Sequence, residues 1–361
     1  MRIGIPTETK PDESRVALTP AGVEALAGSG HQVLVQENAG LGSYISDDDY
    51  ARAGASIVAA ATDVWSSADL IVKVKEPQEE ELPYLSHDQI LFTYLHLAAY
   101  PEVASALCRA GTTSVAYETV RLSSGDLPLL APMSEIAGRM ATQVGARFLE
   151  KSGGGRGVLL GGVPGVAPAD VVVIGGGMAG GNALRVAVGM GANVKVFDLN
   201  PARLREIDNL YRREVTTLIA NRADVREAAL QADLVVGAVL VPGARAPRVL
   251  TAEDVKDMKP GSVVVDIAID QGGCFETSRE TRHSDPTYMI DEVVHYAVGN
   301  IPGVVPRTST FALANSTIPY VSLLADHGVD AAIKRRPELL EGLNTRGGSV
   351  TNETVRAALG G

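Results

Sequence analysis

The sequence predicts an α/β protein made of two doubly wound domains, and three observations predict it. At 361 residues the chain is too long for one ordinary core. Two series of short apolar runs, one before residue 120 and one after residue 170, alternate with helix-like segments. A G-x-G-x-x-G turn links the first run of the second series to a helical stretch.

The elements follow in order. Residues 2–6 read as a buried strand. Thr19-Pro20 opens a helix, with Thr as cap and Pro at the first helical position, and Gly28 or Gly30 ends it. Residues 32–36 form a strand. Ser46 followed by three aspartates starts a second helix, since acid suits a first turn, and Gly54 closes it. Strands are expected at 70–74, 90–97 and 113–117, with a helix opening at Pro101. Residues 133–151 carry few breakers and predict a long helix, stopped by Ser152-Gly153-Gly154-Gly155. The second series has strands at 171–174, 194–197, 216–220, 234–239, 262–267 and roughly 294–298, and from Thr308 the pattern is helical to the C-terminus. Strands separated by helices imply parallel sheets covered on both faces.

Composition narrows the function. A net charge of −11 leaves no basic surplus for nucleic acid. No apolar run approaches the ~20 residues that span a bilayer. No secretory leader precedes the first strand, and two cysteines, Cys108 and Cys274, exclude a disulfide framework, so a cytoplasmic protein is expected.

The glycine turn carries the first chemistry. Residues 171–174 run into Gly175-Gly176-Gly177-Met178-Ala179-Gly180. Gly175 permits the tight turn, Gly177 lets backbone approach a pyrophosphate, and Gly180 lets helix pack on strand. The free N–H groups of the helix start favour phosphate. Asp198 ends the next strand, 23 positions after Gly175, where a ribose-binding carboxylate is expected. That acid favours NAD over NADP, although Arg203, five residues on, weakens the discrimination.

Further segments are Gly4-Ile5-Pro6-Thr7-Glu8 with Glu13-Ser14-Arg15-Val16-Ala17, residues 70–77 (LIVKVKEP), 92–97 (FTYLHL), 130–135 (LAPMSE) and 265–273 (VDIAIDQGG). Together they resemble the alanine dehydrogenase family, which includes the nucleotide-binding component of proton-translocating transhydrogenase. The resemblance spans nearly the whole chain. It implies NAD-dependent oxidative deamination of L-alanine to pyruvate and ammonium, the reverse amination, and a homohexamer. It also implies a discontinuous substrate domain, 1–128 plus 307–361, around a Rossmann-like NAD domain, 129–306.

The resemblance implies a role for each of several polar groups. Arg15 would clamp the substrate carboxylate through its planar fork; from the sequence alone it reads as a surface arginine after an acidic loop. Lys75 would meet the carbonyl or carboxylate end of the substrate, whereas Lys73 reads as a solvated strand-edge residue. His96 would be the acid–base residue and Tyr94 would share its face. Asp270 would be the second acid–base partner, with Asp266 structural. Asn300 would touch substrate. Cofactor contacts would come from Ser134, which also reads as an N-cap, and from Gly175, Gly177, Met178, Ala179, Gly180, Asp198, Arg203, Val239, Leu240, Ile267, Arg279, Val298 and Ile301. Some relatives pair a Glu with the position of His327; here it is Leu323, so no metal is expected, and His31, His87, His283 and His295 lack ligand spacing. Two competing readings are a transhydrogenase nucleotide-binding module, which would not need His96 or Asp270, and a dehydrogenase of the saccharopine type.

Overall fold

The computed structural model describes residues 1–239 and 246–360. They form two compact units, one of residues 1–133 and 305–361, the other of residues 134–304.

The first unit opens with β1 (Arg2–Ile5), α1 (Pro20–Gly28), β2 (Gln32–Gln36), α2 (Asp47–Arg52), β3 (Ser56–Val58), α3 (Ala61–Ser67), β4 (Leu70–Val72), β5 (Ile90–Thr93), α4 (Pro101–Ala110) and β6 (Thr113–Ala116). The caps are those the sequence announces. The Thr19 side chain accepts from Gly22 N–H, and Ser46 and Asp49 form a reciprocal capping box. Next comes α5 (Ala131–Leu149).

The second unit continues with β7 (Asp170–Ile174), α6 (Met178–Gly189), β8 (Asn193–Asp198), α7 (Pro201–Tyr211), β9 (Val215–Ile219), α8 (Arg222–Gln231), β10 (Leu234–Gly237), α9 (Ala252–Lys256), β11 (Val263–Asp266), β12 (Thr287–Ile290) and β13 (Val293–Tyr296). The chain then returns to the first unit with α10 (Pro306–Arg335), α11 (Glu338–Gly342), β14 (Leu343–Arg346), β15 (Ser349–Val350) and α12 (Glu353–Ala358).

Strand order is β15-β14-β6-β5-β4-β1-β2-β3 in one sheet and β12-β13-β11-β10-β7-β8-β9 in the other. Each sheet reverses its direction of growth beside its first strand, between β1 and β4 in the first and between β7 and β10 in the second. Such reversals open a crevice beyond the carboxyl ends of the strands. The cores are apolar strand faces under helices: Ile71, Leu91 and Ala116 with Trp65 and Leu107 in one unit, and Val172, Val235 and Val264 with Phe197 and Phe275 in the other.

Several expectations need correction. The C-terminal region is not helical throughout, because β14 pairs antiparallel with β6 and β15 folds back on β14. Helix α10 is itself broken at Gly328, whose φ of 69° and ψ of 173° suit only glycine. The strand expected at 90–97 stops at Thr93, which leaves His96 in a loop. The helix expected from residue 133 starts at Ala131, so Ser134 lies inside its first turn and is not its cap. Among the described residues no helix is long and apolar enough to cross a membrane.

Candidate active site

In the first unit, polar side chains gather beyond the carboxyl ends of β1, β4, β5 and β6. The loop after β1 supplies Glu8, Lys10, Glu13 and Arg15. Arg15 is buried, not at the surface, because Glu13 neutralises it there. Its Nε and a terminal nitrogen donate to the two Glu13 oxygens at 2.7 and 2.5 Å, and another nitrogen donates to Met133 Sδ at 3.1 Å. Burial opposes ionisation of Glu13, but Arg15, aided by Lys75, holds its carboxyl down at about 2.

The segment after β4 carries two lysines with different surroundings. Lys73 is wholly buried, contrary to a solvated edge position, and its ammonium lies 2.8 Å from Glu81 and 3.2 Å from Glu8. Burial works against its charge, yet the two carboxylates outweigh that and push its pKa up. Lys75 has no ion-pair partner among the described residues. Burial, with the neighbouring charges of Arg15 and Lys10, pulls its ammonium below the usual lysine range. Glu8 fixes this stretch by accepting the N–H groups of Val74 at 2.6 Å and Lys75 at 3.2 Å.

His96 follows β5 and is 41% exposed at its side chain. Its ring stacks on that of Tyr94, with centroids 5.9 Å apart and planes 5° apart. Tyr94 is itself buried, and its hydroxyl donates to the Leu129 carbonyl at 2.6 Å. Burial raises the pKa of that phenol. A cationic pair below the protein surface, beside an accessible imidazole, can hold a small anionic carbonyl compound and exchange a proton with it.

In the second unit the glycine turn leaves β7 at the reversal of strand order. Gly175 has φ +96°, and a side chain there would meet the Ala238 carbonyl at 2.6 Å. Gly177 precedes α6 as its cap, makes no side-chain cap bond, and has nothing within 4 Å of where a Cβ would stand. Open space before a helix start without a side-chain cap suits a phosphate. A Cβ on Gly180 would lie 1.7 Å from the Gly175 carbonyl, so only glycine allows α6 to begin here. Met178 and Ala179 form the first turn of α6. Asp198 ends β8; its two oxygens accept from Gly176 N–H at 2.7 Å and Asn200 N–H at 2.8 Å. Arg203 Nε donates to the Gly176 carbonyl at 2.6 Å. Gly138 of α5 packs against the Ala179 carbonyl, and Ser134 stands one turn earlier on that face. These groups fit a nucleotide that carries a pyrophosphate.

The rest of this unit's crevice is shaped by Asp266. It is buried at the end of β11 and accepts from Ala268, Cys274 and Phe275 N–H and from Ser278 Oγ at 3.0, 2.8, 3.3 and 2.5 Å. Asp266 is thus committed to the loop that carries Ile267 and the exposed Asp270. Asp270 Oδ1 lies 3.3 Å, and Glu280 Oε1 2.2 Å, from the position a Cβ on Gly299 would take. Val298 and Ile301 are buried, and Asn300 between them has φ +63°. Arg279 lies over the Tyr288 ring at 4.2 Å. Val239 follows β10, and Leu240 lies outside the described residues. Among the described residues no three His, Cys, Asp or Glu side chains are placed to hold a metal ion.

Sequence reasoning missed Glu8, Glu13 and Glu118. Each lies just beyond a parallel strand's carboxyl end, and that position was the available signal.

Two family models match the chain: alanine dehydrogenase/PNT, N-terminal domain, over residues 4–137, and alanine dehydrogenase/PNT, C-terminal domain, over residues 141–353. The chain is 57% identical to an alanine dehydrogenase of Mycolicibacterium smegmatis, over 98% of this chain and 96% of that one. A solved L-alanine dehydrogenase superposes with a TM-score of 0.97 at 49% identity, covering 100% of this chain and 99% of the other. A transhydrogenase from Sinorhizobium meliloti superposes with a TM-score of 0.83 at 26% identity, covering 98% and 99%.

Proposed function

The chain belongs to the alanine dehydrogenase/PNT family, and from that premise we propose that it interconverts L-alanine with pyruvate and ammonium, using NAD. The observation that carries the reading is the buried pair Arg15 and Lys75, one held charged by Glu13 and the other depressed and without an ion-pair partner among the described residues.

Arg15 holds the substrate carboxylate, and Lys75 donates to the carbonyl or carboxylate end. Tyr94 supports His96 from below, and Asn300 adds a polar contact to substrate. In the amination direction, ammonia adds to the ketone carbon to give a carbinolamine, which loses water to give an imine. His96 and Asp270 deliver and remove the protons of these steps. The cofactor supplies hydride transfer to or from the substrate's α-carbon when bound. The turn Gly175–Gly180, with Met178 and Ala179, holds its pyrophosphate, and Asp198 accepts from the ribose hydroxyls and repels a 2′-phosphate. Ser134, Arg203, Val239, Leu240, Ile267, Arg279, Val298 and Ile301 complete its surroundings. The reading includes a homohexamer in the cytoplasm, with no nucleic-acid or membrane partner.

NADH consumption by the purified chain with pyruvate and ammonium tests this directly. Turnover is expected, with NADPH a poor replacement. NADH binding without turnover would instead favour a transhydrogenase-type module, and turnover with a larger keto acid alone would overturn the substrate. His96→Ala and Asp270→Asn are each expected to cut kcat by at least about 10²-fold while NADH affinity, followed by fluorescence, stays within about twofold. Full activity in either variant removes that residue from the mechanism.

A further inference from the structure

We propose that Glu118 is a positioning residue for His96, fixing where the imidazole stands for proton exchange; the inference rests on the role given to His96 above. His96 has φ +47°, a left-handed backbone that a residue with a side chain keeps only when its surroundings impose it. One carboxylate supplies much of that constraint. Glu118 Oε1 accepts the His96 N–H at 2.6 Å and the Leu95 N–H at 3.2 Å, and Oε2 accepts the Leu95 N–H at 3.2 Å. The same carboxylate lies 3.9 Å from His96 Nδ1.

The arrangement is built into the sheet. Glu118 follows β6, the neighbour of β5, and its side chain is only 13% exposed. Leu95 is fully buried and anchors the loop in the core. On the far side the Ala99 N–H donates to the His96 carbonyl at 2.8 Å, closing a turn. The half-exposed imidazole, stacked on Tyr94, is therefore held through its own main chain. Removing the carboxylate frees two consecutive amides and the reason for the left-handed turn. The backbone then relaxes to negative φ and swings the ring away from its station.

The test is steady-state kinetics on the full-length enzyme, normalised to sites counted by NADH titration, so that poorly folded protein does not pass for slow enzyme. In Glu118→Ala, kcat per site should fall about 10²-fold, the scale of a ~1 Å misplacement. Its KM for pyruvate should move less than about threefold. Glu118→Gln keeps an oxygen where Oε1 accepts both amides, and should recover kcat to within about threefold of the unaltered enzyme. In the His96→Ala background, Glu118→Ala should cost nothing further in kcat, whereas a purely structural role would add its own loss. If Glu118→Ala does not fold, Glu118→Asp, which draws the oxygens back by one methylene, should lose part of kcat. Unchanged kcat in Glu118→Ala or Glu118→Asp overturns the inference. So does a Glu118→Gln enzyme as slow as Glu118→Ala, or additive losses with His96→Ala. Silence of the unaltered enzyme would overturn the assignment of His96 itself, and this inference with it.

Discussion

Lys73 and Lys75 are two residues apart and have opposite tasks. Lys73 neutralises two buried carboxylates, Glu8 and Glu81. Lys73→Met should therefore destabilise the protein by about 3–5 kcal/mol, as expected when a buried charge loses its partner. Lys75→Met removes a cation already pressed by Arg15 and Lys10, so urea unfolding should change little while pyruvate turnover is lost. Equal midpoints for the two variants would refute the contrast. The Glu13–Arg15 pair has a pH signature. Its carboxyl sits at about 2 in the folded protein against an ordinary 4.5, so the stability it contributes is full above pH 4.5 and is lost as pH falls towards 2. The stability gap between the wild type and Glu13→Gln should narrow across that window, as read from urea midpoints at stepped pH. These surroundings were only partly legible. Two lysines two apart share a face only within a strand, but β4 ends at Val72, before either of them. The carboxylates that bury Lys73 come from segments far from it in sequence, and no local pattern announces them.

At the scale of elements, the glycine turn was the most legible part, because strand, turn, helix and terminal acid all lie within one short stretch. Its geometry separates folding from binding. Gly177→Ala meets open space, at an ordinary negative φ of −63°, and should leave the unfolding midpoint unchanged. It should weaken NADH by about tenfold or more, ~1.4 kcal/mol, because the methyl occupies the space offered to phosphate. Calorimetric titration reads this, and unaltered affinity would mean that the pyrophosphate lies elsewhere. The elements missed were short or polar. β3 has three residues, and β12 is half-exposed at a sheet edge. In β14, Asn344 and Thr345 are buried polar residues, so no apolar alternation marks the strand. They are accommodated because Asn344 Nδ2 donates to Thr119 Oγ1 at 2.7 Å and Thr345 Oγ1 donates to the Thr112 carbonyl at 3.0 Å. Those partners lie far back in the chain, beyond the reach of a local reading.

At the scale of the molecule, two sheets that share the order of their first five strands present different groups, one backbone amides at a helix start and the other buried cations. The sheet of the first unit is completed by segments far apart in sequence: β6 is flanked on one side by β5 and on the other by β14. Deleting residues 343–361 should bare the β6 edge and lower the thermal midpoint of the first unit, with added aggregation visible by light scattering. A truncated chain that melts like the full one would show the hairpin to be an ornament. The same closure has a consequence for birth on the ribosome. Residues 134–304 emerge as one uninterrupted stretch and hold every strand that their sheet shows among the described residues, whereas β6 must wait, edge bare, until the β14–β15 hairpin is translated. Maturation of the first unit is thereby deferred until residues 343–350 have been made, and a product terminated before them would carry a finished second unit beside an unfinished first one.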